Sequence, residues 1–267
     1  MSDLPRRNLR EDHPSLRLPH AALDMRSRIL KGQKIERLLD LANRPQPLRI
    51  LEVGTGSGGI AHYFGTHGSL RCIVDAVDVH DNRLVLEGYR YHQVSGTRLP
   101  FAPESFDVVL TNHVIEHVGD ENAQRAHLTE LRRVLRTDGV GYLAVPNRWM
   151  LVEPHYKLAF LSWLPHVWRT PYLRAMGKGE TYDCEPLPLG QLERLLKGAG
   201  FEYRNLCIAA WRMTFEIERP DSLATRFLRS IPDGLLMLLR PIIPTLIYEI
   251  RKLPESRKRV HSQKVTS

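Results

Sequence analysis

Short apolar runs and longer apolar stripes take turns along this chain. Leu48 to Val53 is a nearly continuous apolar run, and Leu70 to Val79, Phe106 to Leu110 and Val140 to Val145 repeat the type. Runs of this length, rich in Val, Ile and Leu, predict strands buried on both faces. Between them the spacing becomes helical. Ala21 to Ala42 sets Leu23, Leu30, Ile35, Leu38, Leu39 and Leu41 on an imperfect stripe, stopped by Pro45 and Pro47. Asn122 to Arg136 sets Leu128, Leu131, Val134 and Leu135 on one face, and Asp138-Gly139 ends it. Asn82 to Tyr91 reads as a helix capped by Asp81. Leu187 to Ala199 reads as another, and Gly200-Phe201 then leads into a strand from Glu202 to about Ala210. Strands alternating with helices in this way predict an α/β fold with a parallel, doubly wound sheet.

Outside that alternation the composition shifts. Residues 1–45 read as an N-terminal arm, with Pro5, Pro14 and Pro19 in its loose first part, and a cap helix. Residues 46–254 carry the main domain. Within it, 148–186 mixes aromatic groups with Arg148, Glu153, His155, Tyr156 and His166. That segment follows the C-terminal edge of the sheet, where open α/β folds bind ligands, so it reads as a substrate lid. Residues 211–243 read as an apolar, basic insertion, and 255–267 as a basic tail of disordered composition.

The net charge of +8 and the pI near 9.6 call for an acidic partner: nucleic acid, an anionic membrane or a phosphorylated substrate. Cys72, Cys184 and Cys207 are too few and too scattered for a disulfide framework and fit a reducing compartment. The polar start of the chain lacks a signal-type apolar core, and no apolar run reaches membrane-spanning length. A cytoplasmic location is the expectation.

Chemistry concentrates first at Ile50 to Gly59. The run Leu48–Val53 ends in Glu52 and a G-x-G-x-G turn, and Ile60 to Phe64 can start a helix. Strand, glycine turn and helix start form a nucleotide-type cofactor site: glycines allow close backbone approach, and the helix start offers free N–H groups. An acid at the strand tip repels a pyrophosphate but suits the amino and sulfonium groups of S-adenosylmethionine. Asp78 closes the second strand, about two dozen residues on, where an acid can accept hydrogen bonds from ribose hydroxyls.

Three blocks then carry a resemblance: ILEVGTGSGG, LPFAPESFDVVLTNHVIEHV and LTELRRVLRTDGVGYLAVPN. In order and spacing, over residues 48–147, they resemble the class I S-adenosylmethionine-dependent methyltransferases, close to the quinone-biosynthesis type (methyltransferase type 11). The resemblance implies a Rossmann-like seven-stranded sheet, mostly parallel, with Thr245 to Lys252 as an antiparallel last strand. It implies S-adenosylmethionine as cofactor, held at Glu52, Gly54, Thr55, Gly56, Gly58, Asp78, Val79, Thr111 and Asn112. Where the family often has an acid before the LPF block to bind the adenine amino group, this chain has Ser95-Gly96, whose hydroxyl or backbone would substitute.

The segment His113-Val114-Ile115-Glu116-His117 matches the H-x-x-E-H zinc pattern. Without a third ligand in view, no metal site is expected. His117 reads better as the catalytic general base for a hydroxyl acceptor, since histidine titrates near neutral pH. His113, Asn147, Glu153, His155 and Tyr156 are the further substrate candidates. The expected acceptor is small or lipid-linked and the expected reaction O-methylation. The rival readings are a non-catalytic binding protein of the same fold and an RNA methyltransferase; the latter is weakened by Thr111-Asn112-His113-Val114 standing where base-amino methylating enzymes resemble N-P-P-Y, so nucleic acid is not the expected partner. Finally, the leucines, prolines and arginines of 222–244, with Arg257, Lys258 and Arg259 beyond, predict peripheral attachment to an anionic membrane at its inner face.

Overall fold

A computed structural model of the chain describes residues 25–153, 156–182 and 184–254. The expected arm over 1–20, His155 and the basic tail lie outside the described residues.

Seven strands form one sheet: β1 (Leu48–Val53), β2 (Cys72–Asp78), β3 (Arg90–Gln93), β4 (Phe106–Asn112), β5 (Leu135–Pro146), β6 (Phe201–Asn205) and β7 (Thr245–Lys252). Their order across the sheet is β3-β2-β1-β4-β5-β7-β6. All neighbours are parallel except β7, which runs antiparallel to both β5 and β6. The chain reverses its winding direction between β1 and β4, which opens a crevice at their C-terminal ends.

Side chains alternate across the sheet with period two, and both faces are covered. Leu48, Ile50, Val108, Leu110 and Tyr142 face one layer. It holds α1 (Met25–Leu38), α2 (Gly59–Gly65) and α6 (Cys207–Glu218). Leu51, Val53, Val109 and Leu143 face the other layer, where α3 (Glu121–Val134) and α5 (Leu189–Gly198) bring Leu128, Leu131, Leu192 and Leu195. Burial on both sides explains why these strands read as continuous apolar runs. Asp120 caps α3 by accepting from the Ala123 amide at 2.9 Å, as an N-cap aspartate does.

Two connections grow outside the sheet. Residues 148–186 leave and return at one neck, where Asn147 bridges Leu187. They form a small hairpin (Val152–Glu153 with Leu158–Ala159), the helix α4 (His166–Ala175), and a core of Leu158, Leu161, Leu173, Tyr182 and Cys184. The connection from β6 to β7 carries α6, α7 (Leu223–Ser230), α8 (Asp233–Leu236) and a 3-10 turn, Met237–Ile242.

Two expected elements are corrected. Residues Asn82 to Tyr91 are not a helix. The Leu84 and Val85 amides donate to the Ser57 carbonyl (3.0 and 3.3 Å), Gly88 takes φ +89, and Arg90 onward joins β2 as an edge strand. The amides a helix would use internally are spent holding the glycine turn. The strand expected to reach Ala210 ends at Asn205, whose Oδ1 accepts from the Cys207 amide at 3.1 Å, and a helix follows. Cys207, Ala210, Trp211 and Thr214 fall at helical spacing and share a cavity wall, a 3.6 period inside a run that a strand reading passes over.

Candidate functional site

The glycine turn lies at the C-terminal end of β1, beside the end of β2. Gly54, Gly56 and Gly58 all have positive φ (+76, +54 and +80). A Cβ on Gly54 would overlap the Val114 side chain, and one on Gly58 would overlap the Tyr89 hydroxyl, so contact as well as conformation demands glycine here. The Gly54 and Thr55 amides donate to the Val77 carbonyl at 2.9 and 3.2 Å. Asp78 reaches back to the turn: one carboxylate oxygen accepts from the Gly56 amide at 2.8 Å, the other from Val79 at 2.7 Å. Val79 is exposed beyond it.

Glu52 does not face outward from the strand tip. It is buried, and one of its oxygens accepts from both the Thr55 hydroxyl (2.7 Å) and the Ala61 amide (3.0 Å). It thereby ties the turn to the first turn of α2. Burial pushes its carboxyl up to about 7, against the lowering effect of those two hydrogen bonds.

The end of β3 stands parallel to β2, and Ser95-Gly96 form an exposed turn there, with Val94 bonded through its amide to the Asp78 carbonyl at 3.0 Å. At the end of β4 the side chains diverge. Thr111 turns to the α3 side, 3.4 Å from His127 Nε2, and burial lowers that histidine to about 4. Asn112 turns to the opposite side and lines a cavity of about 400 Å³. The Asn112 Oδ1 and the Ser57 Oγ are buried without a hydrogen-bond partner among the described residues. A glycine turn, an acid at the next strand tip and these two unsatisfied atoms fit a polar cofactor lying over β1, β2 and β4.

His113 has φ +59, rare for a side chain of its size, and sits on the cavity wall beside Asn112. Its Nδ1 is 3.4 Å from Glu116 Oε1; His117 Nε2 is 3.9 Å from the same oxygen. Two histidines therefore share one fully buried carboxylate. His113 lines the cavity, whereas His117 sits in the 3-10 turn Ile115–His117. Cys184 arrives from the 148–186 segment, and it, Glu116 and His117 each bring one ligand atom to within 4.8 Å of the others. A third donor beside the H-x-x-E-H pattern, missing from the sequence reading, is thus present.

Asn147 is a staple rather than an open group. Its Nδ2 donates to the Pro241 and Ile243 carbonyls (2.7 and 2.9 Å), and its Oδ1 accepts from Trp149. Glu153 is buried and accepts from the Tyr156 amide at 2.8 Å; the Tyr156 hydroxyl donates to Thr181. These two belong to the hairpin's own packing, apart from the cavity wall. Sequence reasoning missed Lys31, Lys34 and Trp211, which line the cavity from α1 and α6. The i, i+3 spacing of the two lysines was the one available signal.

A family model described as a methyltransferase domain matches residues 51–143. A ubiquinone biosynthesis O-methyltransferase of Parvibaculum lavamentivorans is 31% identical over 142 residues, 48% of this chain and 54% of the relative. An uncharacterized methyltransferase of Mycobacterium sp. (strain JLS) is 37% identical over 97 residues, 36% of this chain and 37% of the relative. The chain thus spans about half the length, or less, of these relatives. Among solved structures, Haemonchus contortus phosphoethanolamine N-methyltransferase 2 in complex with S-adenosyl-L-methionine superposes with a TM-score of 0.50 at 18% identity, over 84% of this chain and 53% of that one, a likeness of fold. Residues 51–143 thus match a methyltransferase domain, and the strand order and glycine turn above agree with that match.

Proposed function

We propose that the protein is an S-adenosylmethionine-dependent methyltransferase acting on a hydroxyl of a small or lipid-linked acceptor. The observation that carries this reading is a shared wall. Asn112 and His113 line the cavity, and the next residue, Val114, packs beneath Gly54 of the glycine turn. A cofactor and an acceptor on the two sides of that wall are held close together, which is the main requirement of an in-line displacement.

S-adenosylmethionine, when bound, supplies a methyl group on an electrophilic sulfonium. Gly54–Gly58, Asp78, Val79, Ser95-Gly96 and Asn112 would hold it. Glu52 acts through Thr55 and Ala61, fixing the turn's shape. His117, or His113 across the same carboxylate, takes the proton of the acceptor hydroxyl, and buried Glu116 stabilises the imidazolium that forms. The O-methyltransferase name of the P. lavamentivorans relative supports oxygen as the acceptor atom.

The surface supports peripheral attachment to the inner face of a membrane. Leu223 and Phe227, one turn apart on α7, are 80% and 69% exposed, with Arg226 and Arg229 between and beyond them, and Leu238 is 75% exposed. Among the described residues, no helix is long and apolar enough to cross a membrane.

The test uses calorimetry with S-adenosylhomocysteine, then methyl-labelled S-adenosylmethionine with a panel of catechols and lipid extracts. Binding followed by label recovered as a methyl ether is the expected result. Absence of binding would overturn the reading; binding with label recovered only on nitrogen or carbon would overturn its oxygen part.

A further inference from the structure

The cavity behind Asn112 is apolar over most of its wall: Tyr142, Ala210, Trp211, Leu239, Ile242 and Ile247. Its volume of about 400 Å³ lies within the range of small-molecule sites, roughly 300–1,000 Å³. Two cations break that wall. Lys31 and Lys34, one turn apart on α1, line the same cavity, both half-buried. Among the described residues, basic side chains such as Arg125 and Arg174 reach a carboxylate at the surface, Glu121 and Glu180. Lys31 and Lys34 do not. No carboxylate oxygen lies within 4.0 Å of either ammonium among the described residues, and Lys34 Nζ donates instead to the Thr214 hydroxyl at 3.1 Å. Glu52 and Glu218 act on them only from farther away, and Arg28 adds a like charge beside Lys31. Burial lowers Lys31 to about 8, which still leaves it charged at neutral pH.

Burying two like charges against apolar groups, with no counter-ion in contact, is costly. An anion brought in by a ligand removes that cost. We infer that this cavity selects an acceptor with an anionic headgroup, a carboxylate or a phosphate, on an apolar body, with Lys31 and Lys34 holding the headgroup. The inference rests on the methyltransferase reading for the word acceptor, but the selection itself does not depend on it.

The test compares three probes of one chain length, below their micelle concentrations: decanoate, decyl phosphate and decanol. Each is titrated into the whole protein, with and without S-adenosylhomocysteine, following Trp211 emission and heat. Decanoate or decyl phosphate should bind roughly tenfold or more tightly than decanol. Whichever anion binds more tightly identifies the headgroup class. The preference should vanish in Lys31→Met/Lys34→Met and shrink in Lys34→Met alone, which keeps the measurement alive if the double variant melts. Trp211→Phe should abolish the emission change. Equal affinity for decanol, a preference that survives both lysine substitutions, or an emission change that survives Trp211→Phe overturns the proposal. Failure of S-adenosylhomocysteine to bind, with the anion preference intact, instead removes the methyltransferase reading and leaves the anion site standing.

Discussion

Substituting Glu52→Gln should make the protein more stable at alkaline pH and leave it unchanged in acid. Both hydrogen bonds to Glu52 fall on a single oxygen, from Thr55 and from Ala61, so a glutamine carbonyl can accept both and hold the turn. What the substitution removes is a buried charge. An ordinary glutamate titrates near 4.5, whereas burial holds this one near 7. A folded-state pKa above the unfolded value means that the folded protein keeps its proton longer, so this group's contribution falls as pH rises from about 4.5 to about 7. The gap, 7 minus 4.5, at about 1.36 kcal/mol per pH unit, amounts to about 3 kcal/mol above pH 7. His127 has the opposite sign. Its folded value, near 4, lies below the usual 6.5, so its contribution is complete above about 6.5 and lost as pH falls toward 4. In the native protein the two slopes oppose each other over nearly the same window. Removing Glu52 should expose the rise due to His127. Thermal melting of both proteins from about pH 4 to 9 checks this, with an expected gain at high pH of roughly 5–10 °C. Melting curves that differ by the same amount at every pH, or a variant less stable at pH 8, would refute the placement of Glu52 as a buried, proton-retaining group.

Three further outcomes are expected. Gly56→Val should weaken S-adenosylhomocysteine binding at least tenfold in calorimetry while costing about 1–3 kcal/mol of stability, since Gly56 has φ +54 and gives its amide to Asp78; unchanged affinity would remove the turn from the cofactor site. His117→Ala should lower the maximal rate on a hydroxyl acceptor by about 10²–10⁴-fold with cofactor affinity intact; if only His113→Ala does so, the base is the histidine on the cavity wall. Leu235→Ser/Leu238→Ser should release the protein from anionic vesicles in co-sedimentation without moving its melting point, because both leucines are exposed, whereas Leu236→Ser should lower the melting point, because Leu236 is buried with Ile208 and Leu228; a melting point lowered by the first pair would make that surface part of the core.

The sheet was legible because a doubly covered strand needs apolar residues at successive positions, and Leu48–Val53 and Phe106–Leu110 have them. Strand β3 was not. Its residues, Arg90 to Gln93, lie at an edge and pair polar side chains, Arg90 and His92 both reaching Asp75 at 2.9 Å, so no apolar signal marks it. The cofactor loop was legible because three positive φ angles require glycines at fixed spacing. The direction of Glu52 was not, because its partners include a backbone amide nine residues on. Cys184 joins Glu116 and His117 only through the fold of 148–186, across 67 residues of sequence counted from His117 (184 − 117). The exposed and buried leucines of 235–239 differ only in which side of one turn they occupy, and the local sequence alternates too little to separate them.

The basic excess of the chain looked like a surface property, a signal for an extended acidic partner. The structure gives part of it a different meaning through α1. Gly32 lets this helix lie against Tyr63 of α2, since a Cβ there would overlap the ring, and Gly59 at the start of α2 lies against Arg28 in the same way. On its other side Lys34 reaches Thr214 of α6. One helix therefore touches the helix that follows the cofactor turn and the helix that walls the cavity. Its lysines take up positions that neither neighbour could supply: α2 is short and committed to the turn, and α6 presents Cys207, Ala210, Trp211 and Thr214 to the cavity. On the proposal above, charge at this place serves recognition inside the fold rather than attraction over its surface. On the same proposal, α1 is a wall of the acceptor site, and Lys31, Lys34 and Trp211, unlike Asn112, His113 and Tyr142 of the same cavity, lie outside the 51–143 stretch that the family model matches.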